Sequence, residues 1–117
     1  MKVMIVDDAY FVRKKLTGVL SLLNVEIIEA EDGQQAIDLF KVESPDLVFL
    51  DVVMPKKDGL AALKEIRAIS KDVKIIMLTS EGDKGTLLSA LDEGANHFVI
   101  KPFDDDKVLG LVQNLLQ

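Results

Sequence analysis

Five residues of this chain have the types and the placing for phosphoryl chemistry: Asp7, Asp8, Asp51, Thr79 and Lys101. Asp51 follows the apolar run Leu47-Val48-Phe49-Leu50 and precedes Val52-Val53-Met54-Pro55, so a carboxylate falls where a buried strand ends. Asp7-Asp8 follow a second such run, Val3-Met4-Ile5-Val6, while Thr79 and Lys101 close two more. Three carboxylates gathered at one place repel, and at least one must be neutralised by a raised pKa or a bound cation. A hard divalent ion such as Mg²⁺ suits them, because it takes oxygen ligands and keeps several waters. Lys101 adds a fixed positive charge and Thr79 a hydroxyl donor. The set describes a pocket for a phosphoryl group, with Asp51 as the carboxylate nucleophile that forms an aspartyl phosphate. Singly, each residue has a plainer use. Asp51 could cap the next helix, Asp7-Asp8 the first helix, Thr79 could simply end a strand, and Lys101 could be a solvated charge.

The elements that must bring them together alternate strictly. Apolar runs at 2–6, 25–30, 47–50, 73–78 and 97–101 read as strands, the first of them fully buried. Between them lie stretches of helical period at 9–23, 34–42, 58–69 and 81–93, with a last one after Asp104-Asp105-Asp106. The first helix presents Val12, Leu16, Val19, Leu20 and Leu23 on one face, with Arg13, Lys14 and Lys15 off it. Ala62, Leu63, Ile66 and Ile69 turn inward from the third helix; Val108, Leu111, Val112 and Leu115 do so from the fifth. Asp32-Gly33 and Asp58-Gly59 are helix-start signals, Gly82 and Gly85 loosen the start of the fourth helix, and the acidic triplet suits the positive end of the last. Five such β-then-α units imply an α/β fold, with a parallel sheet covered by helices on both faces. Right-handed crossovers favour the flavodoxin-like (βα)5 arrangement, a five-stranded sheet in the order 2-1-3-4-5. In that sheet all strand ends share one edge, so the five residues converge. No linker divides the chain, and residues 1–117 read as one domain.

Composition removes several classes. The 117 residues are 49% hydrophobic and 29% charged, the balance of a globular protein with a real core. No apolar run approaches bilayer length, and Asp7-Asp8 interrupt the first one too early for a signal peptide, so a cytoplasmic location and no membrane contact are expected. With no Cys and only His97, thiolate catalysis, Cys-ligated zinc, multi-His metal sites and a Ser-His-Asp triad are disfavoured. A net charge of −6 argues against direct contact with nucleic acid.

Taken together, Ile5-Val6-Asp7-Asp8, Leu50-Asp51-Val52-Val53-Met54-Pro55 with Asp58-Gly59, Leu78-Thr79-Ser80, Gly94-Ala95 and Lys101-Pro102-Phe103 resemble the receiver domains of two-component response regulators. The resemblance spans the whole chain. It implies that Asp51 accepts a phosphoryl group from a histidine kinase, and that Asp7, Asp8, Asp51 and the Val53 carbonyl hold Mg²⁺. It also implies that Thr79 and Lys101 bind the phosphoryl oxygens and that the Lys101–Pro102 peptide is cis. Thr79 and Phe98 would form the switch, altering partner binding at the face of the fourth helix, fifth strand and fifth helix. Phe98 stands where a tyrosine is frequent, and Val53 where a polar residue is common beside the acceptor. Glu81 is then the one nearby side chain in sequence able to orient a hydrolytic water. The run Asp8-Ala9-Tyr10-Phe11-Val12-Arg13 looks most like stand-alone, chemotaxis-type receivers, whose target would be the flagellar motor switch, and Met1 and the early end of the chain fit such a protein. Alternatives are a receiver belonging to a larger transcriptional or phosphorelay regulator, a degenerate receiver that is not phosphorylated, and a haloacid-dehalogenase-like phosphatase. The last looks for a second Asp two residues after the first, where this chain has Val53. The expected protein catalyses its own phosphorylation and dephosphorylation, and is not a turnover enzyme on an external substrate.

Overall fold

Alternating apolar residues in the strands send side chains to both faces of one sheet, and the helices between them cover both faces. The computed structural model describes residues 1–54, 56–80 and 84–116. In chain order the elements are β1 (Lys2–Val6), α1 (Tyr10–Leu20), β2 (Glu26–Ala30), α2 (Gly33–Glu43), β3 (Leu47–Asp51), α3 (Gly59–Ile69), β4 (Lys74–Ser80), α4 (Lys84–Asp92), β5 (His97–Lys101) and α5 (Asp105–Leu115). The five strands are parallel and lie in the order β2-β1-β3-β4-β5, the expected flavodoxin-like topology.

The alternation separates two cores. Val3, Ile5, Leu47, Phe49, Ile76 and Leu78 pack with Leu16, Leu20, Val108 and Val112 of α1 and α5. Met4, Val6, Val48, Leu50, Ile75 and Met77 pack with Ala36, Phe40, Leu63, Ile66 and Ala90 of α2, α3 and α4. β1 and β3, central in the sheet, are buried almost throughout, whereas β2 and β5 form its edges and are half-exposed. Among the described residues no helix is long and apolar enough to cross a membrane.

Four local expectations are corrected. α1 ends at Leu20, not Leu23, because Ser21 through Asn24 turn back toward β2; Leu23 still packs partly against the core. Arg13, placed outside by the helical period, is only 7% exposed, because its guanidinium is bonded to groups at the sheet edge. Ile69 is 47% exposed, since it ends α3 and the core stops at Ile66. β4 extends through Ser80, so Thr79 lies within the strand and not beyond it. α4 is described from Lys84, so Glu81 and Gly82, like Pro55, lie outside the described residues.

Candidate phosphoryl-acceptor site

Parallel register delivers the expected residues to one edge. Asp51 pairs with Leu78, one residue before Thr79, while Thr79 pairs with Ile100 and Ser80 with Lys101. On the other side of β3, β1 ends beside Leu50 at Val6, and Asp7 follows. Asp7, Asp8 and Asp51 then present one carboxylate oxygen each within 4.8 Å of one another. Asp7 is fully buried, Asp51 nearly so, and Asp8 is exposed.

Asp7 does not cap α1. The N-cap is Ala9, without a side-chain hydrogen bond, and Asp7 Oδ1 accepts from the Ala9 N–H at 2.9 Å. This side-chain turn two residues long holds the Asp7 carboxylate at the strand end and leaves Asp8 free to face solvent. Asp58, by contrast, does cap α3, accepting from the Ala61 N–H at 2.8 Å. Gly59, next to it, gives its N–H to the Val52 carbonyl at 2.8 Å. A Cβ at Gly59 would stand 2.1 Å from the Asp51 carbonyl oxygen, so only glycine allows α3 this close to the Asp51 backbone.

Lys101 bridges the cluster. Its Nζ lies 2.7 Å from Asp7 Oδ2 and 3.3 Å from Asp51 Oδ1. The buried Asp7 Oδ2 meets no donor besides this ammonium. Burial alone would lower the Lys101 pKa, but the close contact with Asp7 and the charge of Asp51 outweigh it and hold the ammonium above its usual range. Asp51 is pushed up to about 6, first by burial and then by the neighbouring Asp7, against the pull of Lys101. At neutral pH it is therefore mostly ionised, the form that nucleophilic attack by a carboxylate requires. The Val53 N–H also reaches Asp51 Oδ1, at 3.4 Å.

Three carboxylates against one ammonium leave an excess of negative charge, and the buried Asp7 Oδ2 among them has no polar partner besides that ammonium. An all-oxygen donor set with that excess fits a hard divalent cation. The remaining expected residues are placed as follows. Thr79 is buried, and its hydroxyl donates to the Ser80 carbonyl at 3.3 Å, so it must turn to meet a phosphoryl oxygen. Val53 is 70% exposed at the rim of the site, and Phe98, on the edge strand β5, is 40% exposed. The Lys101–Pro102 peptide is cis, as the resemblance implied. Sequence reasoning missed Arg13, whose buried guanidinium donates to the Asp7 carbonyl at 2.8 Å; a cation on a helix just after an acidic pair was the only signal.

Known proteins resemble this chain over nearly its whole length. The family model for the response regulator receiver domain matches residues 3–113. The chain is 40% identical over 116 residues to the chemotaxis protein CheY of Bacillus subtilis, covering 98% of this chain and 97% of that protein. It is also 40% identical over 116 residues to the probable transcriptional regulator ycf27 of Cyanophora paradoxa, of which it spans only 48%. The crystal structure of the receiver domain of NtrX from Brucella abortus superposes with a TM-score of 0.92 at 32% identity, covering 97% of each chain.

Proposed function

Because the chain belongs to the response regulator receiver family, we propose that it is a phosphorylation-dependent switch that takes a phosphoryl group from a histidine kinase onto Asp51. The observation that carries this reading is Lys101 Nζ set between Asp7 Oδ2 and Asp51 Oδ1, a fixed cation where an incoming phosphoryl group would lie. The contacts of Asp51 with Lys101 and Val53 both fall on Oδ1, which orients the carboxylate and leaves Oδ2 for attack. An Asp51 oxygen bonds to phosphorus as the phosphorus–nitrogen bond of a phosphohistidine breaks, and the departing imidazole takes up a proton. Lys101 then shifts its ammonium toward the phosphoryl oxygens, and the Thr79 hydroxyl turns from Ser80 to donate to them. Asp7, Asp8, Asp51 and the Val53 carbonyl would hold Mg²⁺, which when bound neutralises charge on the transferring group.

The turn of Thr79 vacates space beside β5, into which the half-exposed Phe98 ring can move. With no hydroxyl to satisfy, its burial is driven by apolar area alone. A groove of about 400 Å³ on this side is lined by Phe98, Ile100, Phe103, Lys107 and Leu111, and repacking it would change what the α4-β5-α5 face binds. We take the protein to be cytoplasmic and not a turnover enzyme on an external substrate. The 40% identity to the chemotaxis protein CheY supports a chemotaxis-type receiver, of the stand-alone kind, acting on a flagellar motor switch. The ycf27 relative, matched over about half its length, supports a second reading, a receiver within a larger regulator.

Incubation with acetyl phosphate and Mg²⁺ tests the core of this. Intact mass should rise by one phosphate, the gain should vanish in EDTA, and Asp51→Asn should not label. Labelling of Asp51→Asn equal to the parent would place the acceptor elsewhere.

A further inference from the structure

Arg13 is the one buried cation outside the reacting set among the described residues, and its bonds all run to the edge where the acidic cluster is built. A guanidinium taken out of water is costly unless its donors are used. Here Nη1 donates to the Asp7 carbonyl at 2.8 Å, Nε donates to Glu29 Oε1 at 3.0 Å, and Nη2 lies 3.6 Å from Glu31 Oε1. Glu29 is itself anchored from the other side by Lys14 Nζ at 2.8 Å. One side chain of α1 therefore ties the end of β1 to β2 and to the turn that follows it.

What is held is the acidic pair. The Asp7 N–H donates to the Ala30 carbonyl at 3.1 Å, its Oδ1 accepts from Ala9, and its carbonyl accepts from Arg13. Every polar atom of Asp7 except Oδ2 is thereby fixed by the protein, and Oδ2 is the oxygen facing Lys101. The carbonyl bonded by Arg13 belongs to the peptide plane that joins Asp7 to Asp8. Holding that plane sets the direction in which Asp8, an exposed residue, leaves the strand. We infer that Arg13 is a positioning residue for the divalent-cation site, acting through the Asp7–Asp8 peptide and braced by Glu29. Its charge is not what the site uses, since a cation here would repel Mg²⁺; Glu29 and Glu31 offset it. Geometry is what it supplies. Outer groups that orient ligands in this way typically control about 10- to 100-fold in metal affinity.

The inference rests on the reading that Asp7, Asp8 and Asp51 hold Mg²⁺, and the test separates the two. Calorimetric titration with Mg²⁺ alone is run on the parent, Arg13→Met, Arg13→Lys and Glu29→Gln, beside thermal melts of each in EDTA. Arg13→Met keeps the apolar stem but orphans the Asp7 carbonyl, and should weaken Mg²⁺ binding about 10- to 100-fold. Arg13→Lys should rescue little, because one ammonium cannot reach the Asp7 carbonyl and Glu29 together. Glu29→Gln, which keeps a hydrogen-bond acceptor for Arg13, should lose only a few-fold. If the Arg13 variants melt lower in EDTA yet bind Mg²⁺ as tightly as the parent, Arg13 is merely structural and the inference is overturned. Should Arg13→Met fail to fold, Arg13→Lys decides in its place by the same criterion. A parent that neither binds Mg²⁺ nor labels with acetyl phosphate overturns the reading of the site, and this inference with it.

Discussion

Asp51 holds its charge against its surroundings, and that has a consequence for stability. Its carboxyl titrates at about 6 in the fold, against an ordinary value of 3.8, because of burial first and Asp7 second. The folded state thus binds this proton more tightly than the unfolded chain does. The sign follows: this group's contribution is most favourable below the ordinary carboxylate range, declines as pH rises from about 4 to about 6, and stays low above. Asparagine cannot ionise and escapes the decline. In EDTA, Asp51→Asn should therefore melt several degrees above the parent at pH 7, on the order of 1–3 kcal/mol, and the two should converge near pH 4. Melting curves across that range decide it. A gap that does not change with pH would mean that Asp51 ionises in the fold as it does in water.

At the scale of the element, the site depends on how closely α3 meets the end of β3. Gly59 donates to the Val52 carbonyl while its missing Cβ makes room for the Asp51 carbonyl. Gly59→Ala must push either α3 or the Asp51 backbone aside. It should cost about 1–3 kcal/mol in urea unfolding, as overpacking does, and slow labelling of Asp51 by acetyl phosphate. Gly18, in the interior of α1, is the opposite case, because a Cβ there meets nothing within 4 Å. Gly18→Ala should leave labelling unchanged and add up to about 1 kcal/mol through helix propensity. Equal effects of the two substitutions would show that the contact at Gly59 is not what matters.

Over the whole molecule, the proposed cation binding would be linked to folding, because only the folded sheet edge brings Asp7, Asp8 and Asp51 together. A ligand that binds the native state alone adds RT ln(1 + [L]/Kd), or about 2.7 kcal/mol at a hundredfold excess over Kd. Mg²⁺ should accordingly raise the melting temperature of the parent with increasing concentration, and NaCl at matched ionic strength should not reproduce the effect. Asp8→Ala removes an exposed carboxylate, so it should leave the EDTA melt nearly unchanged while abolishing most of the Mg²⁺ response. A parent and variant that respond alike would remove Asp8 from the ligand set.

The fold was legible from the sequence because its signals are local. Continuous apolar runs, period-3.6 faces and Asp-Gly helix starts each lie within a dozen residues, and strict strand–helix alternation leaves few topologies for a parallel sheet. The candidate site was legible for the same reason, since strand ends in a parallel sheet share an edge and the candidate residues lie at or beside those ends. What the tertiary structure alone decided depends on groups distant in sequence. The burial of Arg13 required β2 to bring Glu29 beside it; on its own helix Arg13 reads as a solvated cation. The Asp7–Asp8 pair reads locally as a helix cap, and only the close approach of Lys101, 94 positions further along from Asp7, shows its carboxylate turned into a charge cluster. The shift of the Asp51 carboxyl likewise comes from burial and from Asp7, neither of which the strand Leu47–Asp51 contains. Sequence period determines which face a residue takes; the electrostatic state of a carboxylate is set by neighbours that only folding supplies.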